Sequence, residues 1–135
     1  MCFNISIKNS KDVIENQLDA VFDKDIIFKP QHHITAFSNP LIPVITSDNR
    51  NNIQLYHWGL IPAWVKDRKQ AHEIRKLTYN AKSETITIKP SFRSSIKNKK
   101  CLIIADGFYE WQSTSTGKIC HYITHPQNEV FTFGG

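Results

Sequence analysis

The chain of 135 residues predicts one α+β domain, a mostly antiparallel, curled and barrel-like sheet with a few peripheral helices. Short apolar, β-rich runs recur along the whole length and are separated by polar turns. Helical signals are few and brief. The length suits a single hydrophobic core, and the composition, 40% hydrophobic and 21% charged, is that of an ordinary globular protein.

Phe3, Ile5 and Ile7 alternate with polar residues and predict a first strand, so Cys2 stands at a strand end. Ser10 is a candidate N-cap for a helix from Lys11 to Phe22, with Asp12 and Glu15 in the favourable first turn. Its inward face would carry Val13, Ile14, Leu18, Val21 and Phe22. Ile26 to Ser38 gives no clear period; Pro30 and His32-His33 suggest irregular extended chain. Leu41–Thr46 and Ile53–Trp58 read as a hairpin around a polar loop of residues 47–52. Residues 59–64 form a turn, and a short helix is expected over Asp67–Leu77 with Ala71, Ile74 and Leu77 on its apolar side. A polar segment then leads to Pro90, which suits the first turn of another short helix with Phe92 and Ile96 inward.

Cys101–Ala105 is a continuous apolar run, expected as a buried central strand. A tight turn at Asp106-Gly107, a strand over Phe108–Trp111, a polar turn over 112–117, a strand over Lys118–Thr124 and a closing strand over Val130–Phe133 complete the reading. Trp58 and Trp111 are assigned to the core, and Trp64, in a Pro-flanked turn, to the surface. Cys101 and Cys120 are read as buried strand thiols.

No run approaches the 18 apolar residues of a membrane span, and polar residues interrupt any signal-peptide core at the N-terminus. Neither membrane contact nor a secreted context is therefore expected. Three cysteines without CxxC spacing fit a reducing cytosol. Cys101, Cys120, His121 and His125 lack the paired short loops of a zinc site, and no metal or cofactor is expected. Residues 61–100 hold eleven basic and three acidic side chains, leaving the remainder slightly acidic in a chain of net charge +5. That asymmetry suggests a polyanion partner, although lysine-rich stretches are often only solvated faces.

Chemistry is concentrated at four places. Removal of Met1 would leave Cys2 with an α-amine and a thiol two carbons apart, a pair able to convert an aldehyde first to an imine and then to a thiazolidine. Position alone does not distinguish this from an arbitrary second residue. Asn80, in a polar segment, can donate and accept from one side chain, and Lys82 offers a point charge to phosphate; a plain solvent loop is the bland alternative. Glu110 lies between strand aromatics on the face of Phe108, where it would be either a buried acid–base group or the outward member of an alternating strand. Trp64 can provide a stacking platform for single-stranded bases.

These blocks together resemble the SRAP family, the SOS-response-associated peptidase domains that shield abasic sites. The matching residues are Met1-Cys2, Pro43-Val44-Ile45, Trp58-Gly59-Leu60-Ile61-Pro62 with Trp64, Asn80-Ala81-Lys82-Ser83-Glu84-Thr85, Phe92-Arg93 and the long block from Cys101 to Trp111. The resemblance implies one SRAP-like domain over residues 1–135. It further implies that Cys2 forms a thiazolidine with the ring-opened sugar of an abasic site, that Asn80 orients this terminus, and that Glu110 opens the sugar and moves protons. Lys82 stands where many members place a phosphate-contacting arginine. Lys89 and Arg93 are added as candidate backbone contacts. The implied partner is single-stranded DNA bearing abasic sites, in the cytoplasm or on a nucleoid.

Three features depart from the family pattern. Cys2-Phe3-Asn4 replaces Cys-Gly-Arg, Val65 replaces a second tryptophan, and no histidine begins the later His-x-Arg-Met-Pro motif. The expectation is therefore a domain lacking its C-terminal portion, with an open edge strand through which copies could pair. Two alternatives stand beside this reading: a thiol peptidase or autopeptidase using Cys2, and an impaired fragment that only binds single strands.

Overall fold

The computed structural model describes residues 2–127 and 129–135. On these residues nine strands build two sheets with three short helices at their margins. One sheet runs β3 (Gln31–Thr35), β1 (Asn4–Ile7), β7 (Gly107–Thr114), β8 (Gly117–Ile123). The other runs β2 (Val21–Phe22), β5 (Asn49–His57), β4 (Leu41–Thr46), β6 (Cys101–Ala105), β9 (Phe131–Gly134). Every pairing is antiparallel except β2 with β5. The α+β class holds, but the sheets do not close into a barrel, because β8 and β9 are both edges. None of the helices is long and apolar enough to cross a membrane among the described residues.

The core between the sheets is built from Ile5, Ile7, Ile14, Phe22, Ile34, Val44, Ile53 and Ile104, all buried. Strand β1 contributes Ile5 and Ile7 as expected, yet the intervening Ser6 is fully buried too. A polar side chain inside a strand requires partners, and Ser6 has them in Asp106 and Tyr122.

Helix α1 (Lys11–Leu18) begins where expected, with Ser10 Oγ accepting from the Val13 N–H. It stops four residues short of the expected Phe22. Asp19 adopts the left-handed conformation (φ 49°, ψ 44°) and its N–H bonds to the Glu15 carbonyl. Aspartate is one of the few non-glycine residues that tolerate this cap. Val21 and Phe22 then leave the helical face altogether; Glu15 Oε1 accepts from the Phe22 N–H at 2.8 Å, starting β2. The ambiguous stretch after it contains β3 and a 3₁₀ turn at Ala36–Ser38.

The loop expected over residues 47–52 shrinks to a turn at Ser47-Asp48, and β5 starts at Asn49. Its polar residues imitate loop composition, but Asn52 is held in the sheet by its bond to Asp23 Oδ1 at 2.8 Å. Helix α2 (Arg68–Lys76) is capped by Asp67, which accepts from the Gln70 N–H. Ala71 and Ile74 are half-buried as expected, but the helix turns Arg75 inward and leaves Leu77, just past its end, exposed. The second short helix, α3 (Ser95–Asn98), comes five residues after Pro90, with Phe92 and Ile96 half-buried.

At Asp106 the chain crosses from β6 in one sheet to β7 in the other, so this is a crossover and not a hairpin turn. Strand β6 is flanked by β4 and β9, and Leu102 on it is exposed. The polar turn expected over 112–117 is only Ser115-Thr116. Strand β8 is exposed along its length, which overturns the core assignment of Trp111 and the buried assignment of Cys120. Both residues lie on the outer part of the β7–β8 ribbon, where one flank has no strand beyond it. Cys101 is half-buried. Phe131 and Phe133 of β9 pack edge-on against Phe108 at 6.2 and 5.6 Å, joining the two sheets at this end.

Candidate active site

Cys2 sits half-buried at the head of β1 and packs against the core. Its Sγ donates to the Asn4 carbonyl at 3.1 Å. Burial pushes the thiol above the ordinary cysteine value, and the negative charge of Glu110 pushes it the same way. Backbone hydrogen bonding at Asn4 and at Tyr109 opposes both. A thiol so placed is kept mostly protonated at neutral pH.

Asn80 reaches this residue from far along the chain: its Nδ2 donates to the Cys2 carbonyl at 2.8 Å. The preceding residues fix where that donor points. The Trp58 indole donates to the Tyr79 carbonyl at 2.9 Å, and Thr78 Oγ1 donates to the Leu60 carbonyl at 2.7 Å. Gly59 lies between these anchors at φ +107°, and a β-carbon there would stand 2.5 Å from Arg75 Cγ. Only glycine meets both the backbone conformation and the close approach. Tyr79 is buried and packs edge-on against Phe3 and Phe37. Asn80 is thus the end of a rigid platform, not part of a solvent loop.

Glu110 is half-buried on β7, level with the terminus and close enough to act electrostatically on the Cys2 thiol. The pairing that places it is short: Ile5 opposite Phe108 and Ser6 opposite Gly107. Cys2, Asn80 and Glu110 are therefore brought together from the three separate stretches that contain them. A groove of about 560 Å³ lies elsewhere: Ile7, Phe28, Ile34 and Leu55 line it, and none of these three residues does.

Lys82, Lys89 and Arg93 are exposed on the basic segment that follows Asn80. Trp64 is 50% exposed and borders a small cavity of about 120 Å³ with Pro90, Ser94, Ser95 and Lys99. The aromatic turn and the basic segment thus share one surface. Cys101 lies on β6, whereas Cys120 and His121 lie on β8 of the opposite sheet.

Sequence reasoning missed the supporting residues. Trp58 looked like ordinary core, and nothing marked its indole as the donor that holds Tyr79. Asp106 looked like a turn residue, yet it is 2% exposed and central to a polar cluster. An acidic residue directly after five apolar ones, and directly before a glycine, was the available signal.

The family model for SOS response associated peptidase (SRAP) matches residues 1–135. The chain is 34% identical over 138 aligned residues to the abasic site processing protein YoaM of Bacillus subtilis, spanning all of this chain and 58% of that protein. It is 40% identical over 73 residues to the abasic site processing protein HMCES of Gallus gallus, spanning 53% of this chain and 21% of that one. The crystal structure of a Bacteroides thetaiotaomicron protein superposes with a TM-score of 0.88 at 34% identity, covering 98% of this chain and 58% of the other. The chain thus spans less than two thirds of the length of each of these relatives. With the family match running from end to end and the fold shared at that level, the chain belongs to the SRAP family.

Proposed function

We propose that the protein captures abasic sites in single-stranded DNA by a covalent bond through Cys2. The observation that carries this reading is the convergence of Asn80 and Glu110 on the Cys2 residue. The names of the relatives, abasic site processing proteins, point to the same substrate.

Removal of Met1 makes the α-nitrogen of Cys2 a free amine. The Glu110 carboxylate takes the anomeric proton of the closed sugar and returns it to the ring oxygen, exposing the C1′ aldehyde. The neutral amine adds to C1′, and the resulting carbinolamine takes a proton from solvent and loses its oxygen as water to leave a protonated imine. Sγ then attacks that carbon as its own proton passes to the Glu110 carboxylate. A carbon–sulfur bond forms, the nitrogen keeps one proton as a secondary amine, and one water has been released overall. Asn80 contributes by holding the Cys2 carbonyl, which fixes the orientation of both nucleophiles. Lys82, Lys89 and Arg93 bind the DNA backbone, and Trp64 stacks on a base. Such a protein acts in the cytoplasm, at the nucleoid in a bacterium. The open β9 edge offers a second copy a place to pair, which sedimentation would detect.

The test is incubation of methionine-processed protein with an oligonucleotide carrying one abasic site, followed by a denaturing gel. A shifted band that disappears in Cys2→Ala supports the reading. No adduct, with retention only on native gels, would reduce the protein to a single-strand binder. Hydrolysis of a peptide substrate that Cys2→Ala abolishes would favour a peptidase.

A further inference from the structure

The β1–β7 pairing that sets Cys2 beside Glu110 consists of two rungs, Ile5 with Phe108 and Ser6 with Gly107. A one-residue slip there would turn Glu110 to the other face of the sheet. A two-residue slip would carry it about 7 Å along the strand. Two rungs do not fix a register by themselves, and β1 also has a register irregularity against β3 between Ile5 and Ile7.

Asp106 closes this gap. Its side chain is buried at the crossover from β6 to β7, one residue before the pairing begins. Oδ1 accepts from Ser6 Oγ at 2.7 Å, and Oδ2 accepts from the Lys8 N–H, the Asn9 N–H at 2.9 Å and Asn9 Nδ2 at 3.2 Å. Its own N–H donates to the Ser6 carbonyl at 3.0 Å. Since Ser6 donates to Asp106, the Tyr122 hydroxyl is the donor in the 2.7 Å contact with Ser6 Oγ. Tyr122 reaches Ser6 across Gly107, where a β-carbon would fall 2.3 Å from its hydroxyl. Lys8 Nζ lies 5.0 Å from the centre of the Tyr122 ring. Three positions around the end of β1, Ser6, Lys8 and Asn9, therefore converge on one crossover carboxylate.

We propose that Asp106 is a positioning residue, whose clamp on the end of β1 fixes the strand register that holds Cys2 beside Glu110. The inference rests on the crosslinking function proposed above. Burial of apolar groups would serve stability alone at least as well, since a buried charge is a weak source of net stability. A polar clamp whose bonds form in only one register supplies specificity instead. Asp106 touches neither nucleophile; it acts through β1 and β7.

The test compares wild type, Asp106→Asn and Ile14→Val, all methionine-processed full chains; the last is a buried substitution in α1 whose side chain makes none of the clamp's hydrogen bonds. The carboxamide of Asp106→Asn keeps the shape but presents N–H groups to donors. Single-turnover adduct formation should slow roughly 10- to 100-fold, the scale of an ångström-level misplacement. Affinity for a lesion-free oligonucleotide should stay within about twofold, because the Lys82–Arg93 surface is untouched. The pH midpoint for alkylation of Cys2 should fall as the thiol leaves its buried place near Glu110, and it should not move in Ile14→Val. Ser6→Ala, which removes one bond and leaves the carboxylate, should slow crosslinking by a smaller factor and serves if Asp106→Asn does not fold. Wild-type rates in both clamp variants, or equal losses in Ile14→Val with no shift of the alkylation midpoint, would overturn the proposal. If wild type forms no Cys2-dependent adduct, the crosslinking function falls; the clamp is then supported by a lowered alkylation midpoint in Asp106→Asn and overturned by an unchanged one.

Discussion

Trp58→Phe tests whether the Asn80 platform is held by the indole. The Trp58 side chain is buried, and its Nε1 donates to the Tyr79 carbonyl at 2.9 Å. Phenylalanine removes the donor and part of the ring volume. Leaving a buried carbonyl without its donor costs about 1–3 kcal/mol, and the void adds about 1 kcal/mol where neighbours cannot collapse into it. The total is about 2–4 kcal/mol. For a chain of 135 residues, 1 kcal/mol corresponds to a midpoint shift of about 4 °C, so Trp58→Phe should lower Tm by about 8–16 °C. Thermal unfolding followed by circular dichroism measures this, with Trp64→Phe as the matched control at a half-exposed position. The control should change stability by no more than about 0.5 kcal/mol. Equal, small shifts in the two variants would show that the indole does not hold Tyr79, and the account of how Asn80 is oriented would fail.

Replacing Lys82, Lys89 and Arg93 together by alanine should weaken binding to lesion-free single strands and flatten the log K against log salt line. Each lost phosphate contact should reduce the slope by about 0.7, read by fluorescence anisotropy across a salt series; an unchanged slope would remove these residues from the DNA surface. Glu110→Gln should slow adduct formation while leaving single-strand affinity intact, and parallel loss of both would refute its acid–base role. Among the cysteines, Cys120 on the exposed strand should be alkylated fastest. Burial raises the values of Cys2 and Cys101, so at a given pH each holds less thiolate than an ordinary cysteine and its alkylation midpoint lies higher. Glu110→Gln removes a charge that raises the Cys2 value, so that midpoint should move down; mapping by mass spectrometry over a pH series reads both effects.

The strands were legible wherever apolar residues alternate or run together, as in β1, β4 and β6, because burial of one or both faces dictates that pattern. Boundaries failed where a polar residue did structural duty. Asp19 ends α1 without a glycine, and Asn49–Asn52 continue a strand with loop-type side chains. Trp111 misled because strand aromatics usually signal a core, whereas here the strand runs out past the last covering layer. Cys2, Asn80 and Glu110 were each suspected from local chemistry and were joined only through the family resemblance. Their meeting depends on contacts spanning 78 residues between Asn80 and Cys2. No local period encodes such a contact. It follows from the crossover at Asp106 and the anchoring of Tyr79, and both rest on single hydrogen-bonding side chains.

The central claim concerns one bond, and mass spectrometry of the conjugate tests it most directly. Wild-type protein crosslinked to an abasic oligonucleotide should yield, after protease and nuclease digestion, an N-terminal peptide beginning at Cys2. That peptide should carry the sugar remnant with the loss of one water, and the link should form without borohydride reduction. A sugar attached instead to a lysine such as Lys82, or an adduct that retains Met1 and requires reduction to survive, would contradict the account.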